Sequence, residues 1–327
     1  MDKQAKAGPV LAIHGGAGTL LRSSMSAEKE AEYLQALRRI LGTGQAQLEL
    51  GAAALDVVVE AVRQLEECEL FNAGKGAVYT AAATHELDAS VMEGRTLKAG
   101  AVAGLRRTRN PVLAARAVME HSGHLLFIGE AADAFAARQG LEQVAPEWFG
   151  TPARLEQLQR AQAARAGVLL DHDGQSGAQS GPIAEGSKFG TVGAVALDAA
   201  GHLAAATSTG GMTNKPVGRL GDSPILGAGC YANDATVAVS CTGTGEAFMR
   251  ALAAYDVSVQ MEYLGLDVGT AAGRVIHEKL PRLNGRGGLI AVAANGEVSM
   301  PFNTEGMYRG YARVGEAVVV AIYGAAT

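Results

Sequence analysis

The residues best equipped to do chemistry meet near position 190. The segment Lys188-Phe189-Gly190-Thr191-Val192-Gly193-Ala194-Val195 passes from a polar, turn-rich stretch directly into an apolar strand, with a threonine at its head. On these residues alone two readings stand. One is a loop entering a sheet. The other is a nucleophile: if the Gly190–Thr191 bond is cut, Thr191 gains a free α-amine beside its own hydroxyl. Such an amine titrates at about 7.7–8. It therefore takes the hydroxyl proton near neutral pH and activates the oxygen for attack. The β-branch of threonine restricts χ1 and holds that hydroxyl in place, while Gly190 removes a side chain from the bond under attack.

Other familiar chemistries are missing from the sequence. Gly74-Lys75 lacks the upstream glycine of a phosphate-binding loop and has no hydroxyl residue after the lysine. There is no Gly-x-Ser-x-Gly elbow and no His-Glu-x-x-His. Thr242-Gly243-Thr244-Gly245 resembles the start of a dinucleotide turn, but Phe248 stands where its third glycine belongs. The seven histidines show no ligand spacing and read as structural or surface groups. Cys68, Cys230 and Cys241 form an odd, sparse set without zinc spacing, which fits a reducing compartment.

Composition narrows the class further. The chain has 327 residues, 48% of them hydrophobic, with a formal net charge of −5. That is long enough to bury a full core without staples and too apolar for disorder. The charge balance offers no basic footprint for nucleic acid. No run of about 18 apolar residues marks a membrane span, and Val10–Ile13 is too short for a secretory core. A cytoplasmic protein is expected. Glycine supplies 43 residues without a three-residue period, which excludes collagen.

The elements that must position Thr191 are legible in outline. Residues 9–14 read as a buried strand running into a glycine turn at 15–18. Helices are expected over 26–41, stopped by Gly42 and Gly44, and over 51–66, 111–122, 129–138 and 152–166. Strands are expected at 86–92, 99–105, 191–197, 202–207, 289–293, 298–302 and 314–323, with helices at 245–255 and 270–279. Residues 171–187 carry almost no large apolar side chain and read as part of a flexible linker over about 168–190. Many strands meet in hairpins, so two antiparallel sheets covered by helices fit better than a doubly wound parallel sheet.

Seven segments in order resemble the plant-type L-asparaginase/isoaspartyl peptidase family of N-terminal-nucleophile hydrolases. They are His14–Gly18, Glu67–Gly76, Glu86–Ala89, Gly190–Val195, Thr207–Gly211, Gly218–Asp222 and Thr242–Glu246. The resemblance implies an α+β fold, the αββα sandwich of two central antiparallel sheets flanked by helices. It implies one domain over 1–327, cut at Gly190–Thr191 into chains of residues 1–190 and 191–327. Thr191 would be the nucleophile both for self-cleavage and for catalysis. Thr209 and Thr242 would flank it, Thr242 and the Gly243 N–H would form the oxyanion hole, and Asn72 would support Thr191. Arg219, Leu220, Gly221 and Asp222, with Thr244 and Gly245, would bind substrate: the arginine the α-carboxylate, the aspartate the α-ammonium.

Those two charges are displayed beside a β-amide by free asparagine and by an N-terminal aspartyl unit linked through its β-carboxyl. The implied reaction is therefore acyl transfer on L-asparagine or β-aspartyl dipeptides. The resemblance also implies a sodium or potassium ion held by the carbonyls of Leu65, Glu66, Cys68, Phe71, Ala73 and Lys75, no organic cofactor, and a dimer of cleaved heterodimers. No nucleic-acid or membrane partner is expected. Two alternatives are a glycosylasparaginase-type amidase and an uncleaved, glycine-rich nucleotide-binding protein.

Overall fold

The structure is a computed structural model that describes residues 8–163 and 190–324. Apart from Gly190, the expected linker lies outside the described residues. The strands in chain order are β1 (Val10–Gly18), β2 (Leu87–Glu93), β3 (Ala99–Leu105), β4 (Leu126–Ile128), β5 (Val192–Leu197), β6 (Leu203–Thr209), β7 (Cys230–Ala232), β8 (Val237–Gly243), β9 (Gly287–Ala293), β10 (Val298–Ser299), β11 (Gly306–Arg313) and β12 (Val319–Tyr323). The main helices are α1 (Ala27–Glu49), α2 (Ala54–Glu66), α3 (Pro111–His121), α4 (Gly129–Arg138), α5 (Pro152–Ala163), α6 (Gly245–Ala251), α7 (Ala253–Leu264) and α8 (Val268–Arg274).

Eight strands form one sheet in the order β12-β11-β1-β5-β6-β2-β3-β4, and four form a second, β10-β9-β8-β7. Three cores separate four layers. Leu37, Ile40, Val58 and Val62 of α1 and α2 pack on Leu11, Ile13, Val192 and Ala194 of the large sheet. Val10, Ala12, Val195 and Leu197 on its other face meet Ile290 and Val292 of the small sheet. Val239 and Leu289 then pack outward on Phe248, Val257 and Ile276. The central strand β5 is covered on both faces, which is why every residue of it is buried and why its sequence runs apolar without alternation.

The expected αββα sandwich is present, with one departure. β3 and β4 pair in parallel, because α3 intervenes and carries the chain back before β4 begins. Several boundaries also shift. Helix α1 starts where expected, with the Ser26 side chain accepting from the Lys29 N–H, but runs through Gly42 and Gly44 to Glu49. Gly44 is a packing residue: a Cβ there would lie 2.2 Å from Leu11 Cδ2. The helix expected over 245–255 breaks at Leu252, whose φ is 47°. The last expected strand begins at Val319, and the segment just before it, β11, escaped the sequence reading although it pairs along the whole of β1. Its sequence mixes Met, Tyr and Ala with Arg and Gly without alternating, and so resembles a surface loop. The strand expected at 298–302 ends at Ser299, and Phe302 makes only an isolated bridge to Gly288.

The glycine turn expected after the first strand is itself strand, with a bulge between His14 and Gly16. Gly16 holds φ +111°, and a Cβ on it would lie 2.6 Å from the Gly190 nitrogen. The end of β1 thus lies against the backbone just ahead of β5, where glycine alone fits. Gly16→Ala is expected to cost about 2 kcal/mol, combining backbone strain with overpacking. A fall in the urea midpoint at constant m-value measures this; an unchanged midpoint would show slack at the contact.

Candidate active site

β5 and β6 pair with Val192 opposite Ser208, so the residue ahead of β5 faces the end of β6. Thr191 is 8% exposed at the head of β5. Its Oγ1 donates to Thr209 Oγ1 at 3.1 Å and lies 3.4 Å from Ser223 Oγ. Thr209 Oγ1 in turn accepts from the Gly211 N–H at 3.0 Å. Ser223 is a member of this hydroxyl cluster that the sequence reading missed. Its one signal was its place directly after the Gly218–Asp222 segment.

Asn72 supports this cluster at one remove. Its Nδ2 donates to the Gly211 carbonyl at 2.7 Å, its Oδ1 accepts from the Val78 N–H at 2.9 Å, and its carbonyl accepts from the Gly210 N–H. The bonds go to the backbone that follows Thr209, so the expected support of Thr191 passes through that turn.

The opposite wall comes from the small sheet. Thr242 sits near the end of β8, and β8 packs on β5 and β6. Gly243 has φ +147°, and a Cβ there would meet the Arg286 carbonyl at 2.2 Å. Thr244 is tied to the same carbonyl by its N–H and hydroxyl. A buried polar bridge joins the sheets below: His14 Nε2 lies 2.9 Å from Ser240 Oγ, which lies 2.7 Å from Thr207 Oγ1. His14 is thus a structural histidine, as expected.

Arg219, Gly221, Asp222 and Gly245 come together. A Cβ on Gly245 would lie 3.0 Å from Arg219 Nη2 and from Gly221 Cα, and 3.1 Å from the Asp222 nitrogen. Arg219 is paired in bidentate fashion with Glu246, at 2.9 Å from Nε and 2.8 Å from Nη2. Arg219 and Leu220 also border a cavity of about 420 Å³ that extends past Asp88 and Gly104 to Ile128. Two buried polar atoms in this region, Asp222 Oδ2 and Thr242 Oγ1, have no hydrogen-bond partner among the described residues. Buried polar groups are normally paired, so these two atoms keep open hydrogen-bonding capacity. Burial pushes the Asp222 carboxyl up to about 7, against the opposing pull of Arg219.

The loop after α2 was expected to hold a cation through backbone oxygens. Gly74 and Gly76 have φ +51° and +93°, and a Cβ on them would strike the Glu66 carbonyl oxygen at 2.4 Å and those of Glu69 and Phe71 at 2.6 and 2.8 Å. Both glycines are therefore packed against carbonyl oxygens where a side chain would not fit. The Leu65, Glu66 and Cys68 carbonyls also accept backbone N–H bonds within the loop. The buried Glu66 carboxyl links this loop to the site by accepting from Ser208 Oγ at 2.7 Å. Burial raises its pKa to about 8. Among the described residues no cluster of His, Cys, Asp or Glu side chains could hold a metal.

Four layers with a threonine heading the central strand define the α+β sandwich of the N-terminal-nucleophile hydrolases. The chain belongs to the asparaginase family, whose pattern it matches over residues 7–322. It is 60% identical to an isoaspartyl peptidase of Salmonella typhimurium over 314 residues, 96% of this chain and 98% of that one. The isoaspartyl peptidase of Escherichia coli is also 60% identical, with 96% of each chain covered. A probable isoaspartyl peptidase/L-asparaginase of Arabidopsis thaliana is 41% identical, covering 97% of this chain and 99% of that one.

The Asp222 environment predicts a pH-dependent stability. Its carboxyl titrates near 7 when folded against 3.8 as a free group. Well below pH 3.8 it is protonated in both states. As pH rises the unfolded chain ionises first, so stability falls until pH passes 7. Asp222→Asn lacks this loss. The stability gap in favour of the variant should grow by about 3–4 kcal/mol between pH 4 and pH 8, read from urea unfolding at both values; a gap independent of pH would count against a buried, ionising carboxyl.

Proposed function

We propose that this protein is a self-cleaving threonine hydrolase that cuts the β-amide of L-asparagine and of β-aspartyl dipeptides. The observation that carries the reading is the Thr191–Thr209 hydroxyl pair at the head of β5, directly after a glycine. The relatives' printed activities support the same substrate class. Neither a nucleotide-binding role nor a glycosylasparaginase activity gains support from them.

In maturation, Thr191 Oγ1 attacks the Gly190 carbonyl carbon, and the C–N bond breaks as the proton passes to nitrogen. Water hydrolyses the resulting ester, leaving a carboxylate on Gly190 and an amine on Thr191. That amine then accepts the Thr191 hydroxyl proton as the oxygen attacks the substrate β-carbonyl. Thr242 Oγ1 and the Gly243 N–H stabilise the developing oxyanion, an interaction whose loss costs about 2.7–4 kcal/mol per donor in comparable sites. Ammonia or an amino acid leaves with the proton, and water releases aspartate from the β-aspartyl ester. Arg219 clamps the α-carboxylate through its planar fork, and ionised Asp222 holds the α-ammonium, with Leu220, Gly221, Thr244 and Gly245 shaping the pocket.

A sodium or potassium ion in the 65–75 loop would stiffen the turn that carries Asn72. The three cysteines are unpaired, which supports a reducing, cytoplasmic setting. Among the described residues no helix is long and apolar enough to cross a membrane. Assembly as a dimer of cleaved heterodimers rests on the family resemblance, and sedimentation tests it.

Thr191→Ala should remain one full-length, inactive chain on denaturing electrophoresis, while the parent yields chains 1–190 and 191–327. Self-cleavage of the variant would overturn the nucleophile assignment. Arg219→Ala should raise KM for β-aspartyl dipeptides at least tenfold, about the worth of one charge-assisted bidentate pair. Asp222→Ala should still mature. Unchanged kinetics in Arg219→Ala would remove the clamp from the mechanism.

A further inference from the structure

The Arg219–Glu246 pair has a geometry that the substrate clamp does not explain. Glu246 takes the Nε–Nη2 edge of the guanidinium. Arg219 retains 15% side-chain exposure, whereas Glu246 retains 53%. The guanidinium lies against Gly221 and Gly245: a Cβ on Gly221 would be 3.1 Å from Nη1, and one on Gly245 would be 3.0 Å from Nη2. Three sides of the group are thus accounted for, by a carboxylate on one edge and by two residues without side chains. The remaining edge, Nη1 with the second N–H of Nη2, makes no hydrogen bond among the described residues and is the edge that can donate end-on to a second carboxylate. Glu246 is the second residue of α6, directly after Thr242–Gly245, so the proposed oxyanion donors and the partner of the clamp share one short stretch of backbone.

We infer that Glu246 is a positioning residue and sets the substrate's α-carboxylate specificity by holding the Arg219 fork in the one plane that a second carboxylate can meet. The inference rests on the clamp reading of Arg219. An arginine side chain left free retains several rotatable bonds, and ordering it at the moment of binding weakens the complex. A fixed partner removes that cost before substrate arrives, and it also keeps the guanidinium from turning toward a neutral group. Glu246 touches neither the β-amide nor Thr191, so its effect belongs in binding and discrimination rather than in bond breaking.

The test uses the self-cleaved Glu246→Gln variant, with Glu246→Ala as a second variant. A β-aspartyl dipeptide is compared with the same compound carrying an α-carboxamide on the aspartyl unit. Appearance of the 1–190 and 191–327 chains reports folding, because self-cleavage uses no clamp. The expected result is a KM for the carboxylate substrate raised about tenfold, one bidentate contact loosened, with kcat changed less than threefold. The ratio of kcat/KM between carboxylate and carboxamide should fall by a similar factor. A lowered KM would mean that Glu246 competes with substrate and would overturn the inference, as would an unchanged ratio. Arg219→Ala run alongside separates the two claims. If it abolishes the discrimination while the Glu246 variants keep it, positioning fails and the clamp stands. If Arg219→Ala also keeps it, the clamp itself fails.

Discussion

A residue that is to become the end of a chain and also a buried nucleophile must head a strand in the middle of a sheet. That constraint organises the molecule. The head of β5 is fixed by its neighbours on both sides, β1 and β6, and by the register that sets Thr191 against Thr209. Gly16 approaches Gly190 so closely that a side chain on Gly16 would strike its backbone. The Gly190–Thr191 peptide is therefore held between a glycine on one strand and a hydroxyl on the next. Large-sheet packing, helix placement and the inter-sheet polar bridge all serve to keep this junction in one geometry.

The second sheet supplies what the first cannot. A sheet end displays hydroxyls and N–H groups along one line, but a substrate with two charges and an amide needs contacts from several directions. β8 brings Thr242 and Gly243 from across the inter-sheet core, and the loop before β7 brings Arg219, Asp222 and Ser223. The resulting site is mostly backbone and small side chains, with few titratable groups. Burial raises two carboxyls: that of Asp222 to about 7 and that of Glu66 to about 8. A site that must display an ionised, buried carboxylate gives up stability for function.

Much of this was legible in the sequence because it depends on local signals. The apolar run Val192–Leu197 after a glycine, Ser26 as a cap, and Asn110-Pro111 before α3 each announce an element. What was not legible depends on contacts distant in sequence. Gly44 looks like a helix stop until Leu11 is seen beneath it. Gly15–Gly18 look like a turn until β11 is seen paired with them, and β11 itself shows no clear apolar alternation. Ser223 and Glu246 enter through geometry: neither stands out by residue type, Ser223 lies one position beyond a recognisable segment, and Glu246 closes one. The parallel β3–β4 pair was hidden for a different reason, since β4 has only three residues.

The strand order of the large sheet decides what happens once the backbone is broken. Reading β12-β11-β1-β5-β6-β2-β3-β4, the strands after Gly190 alternate in blocks with those before it, so the two pieces are interleaved at β11/β1, β1/β5 and β6/β2. Neither piece holds the large sheet by itself, although the small sheet and its outer core belong wholly to the second piece. The proposed cleavage at Gly190–Thr191 would therefore create two polypeptides that cannot drift apart without dismantling the large sheet. It also turns refolding from a unimolecular event into an association, so that recovery from full denaturation depends on protein concentration. The uncut chain is the form in which the fold assembles on its own, and the active form inherits a topology that it could rebuild only by finding its partner.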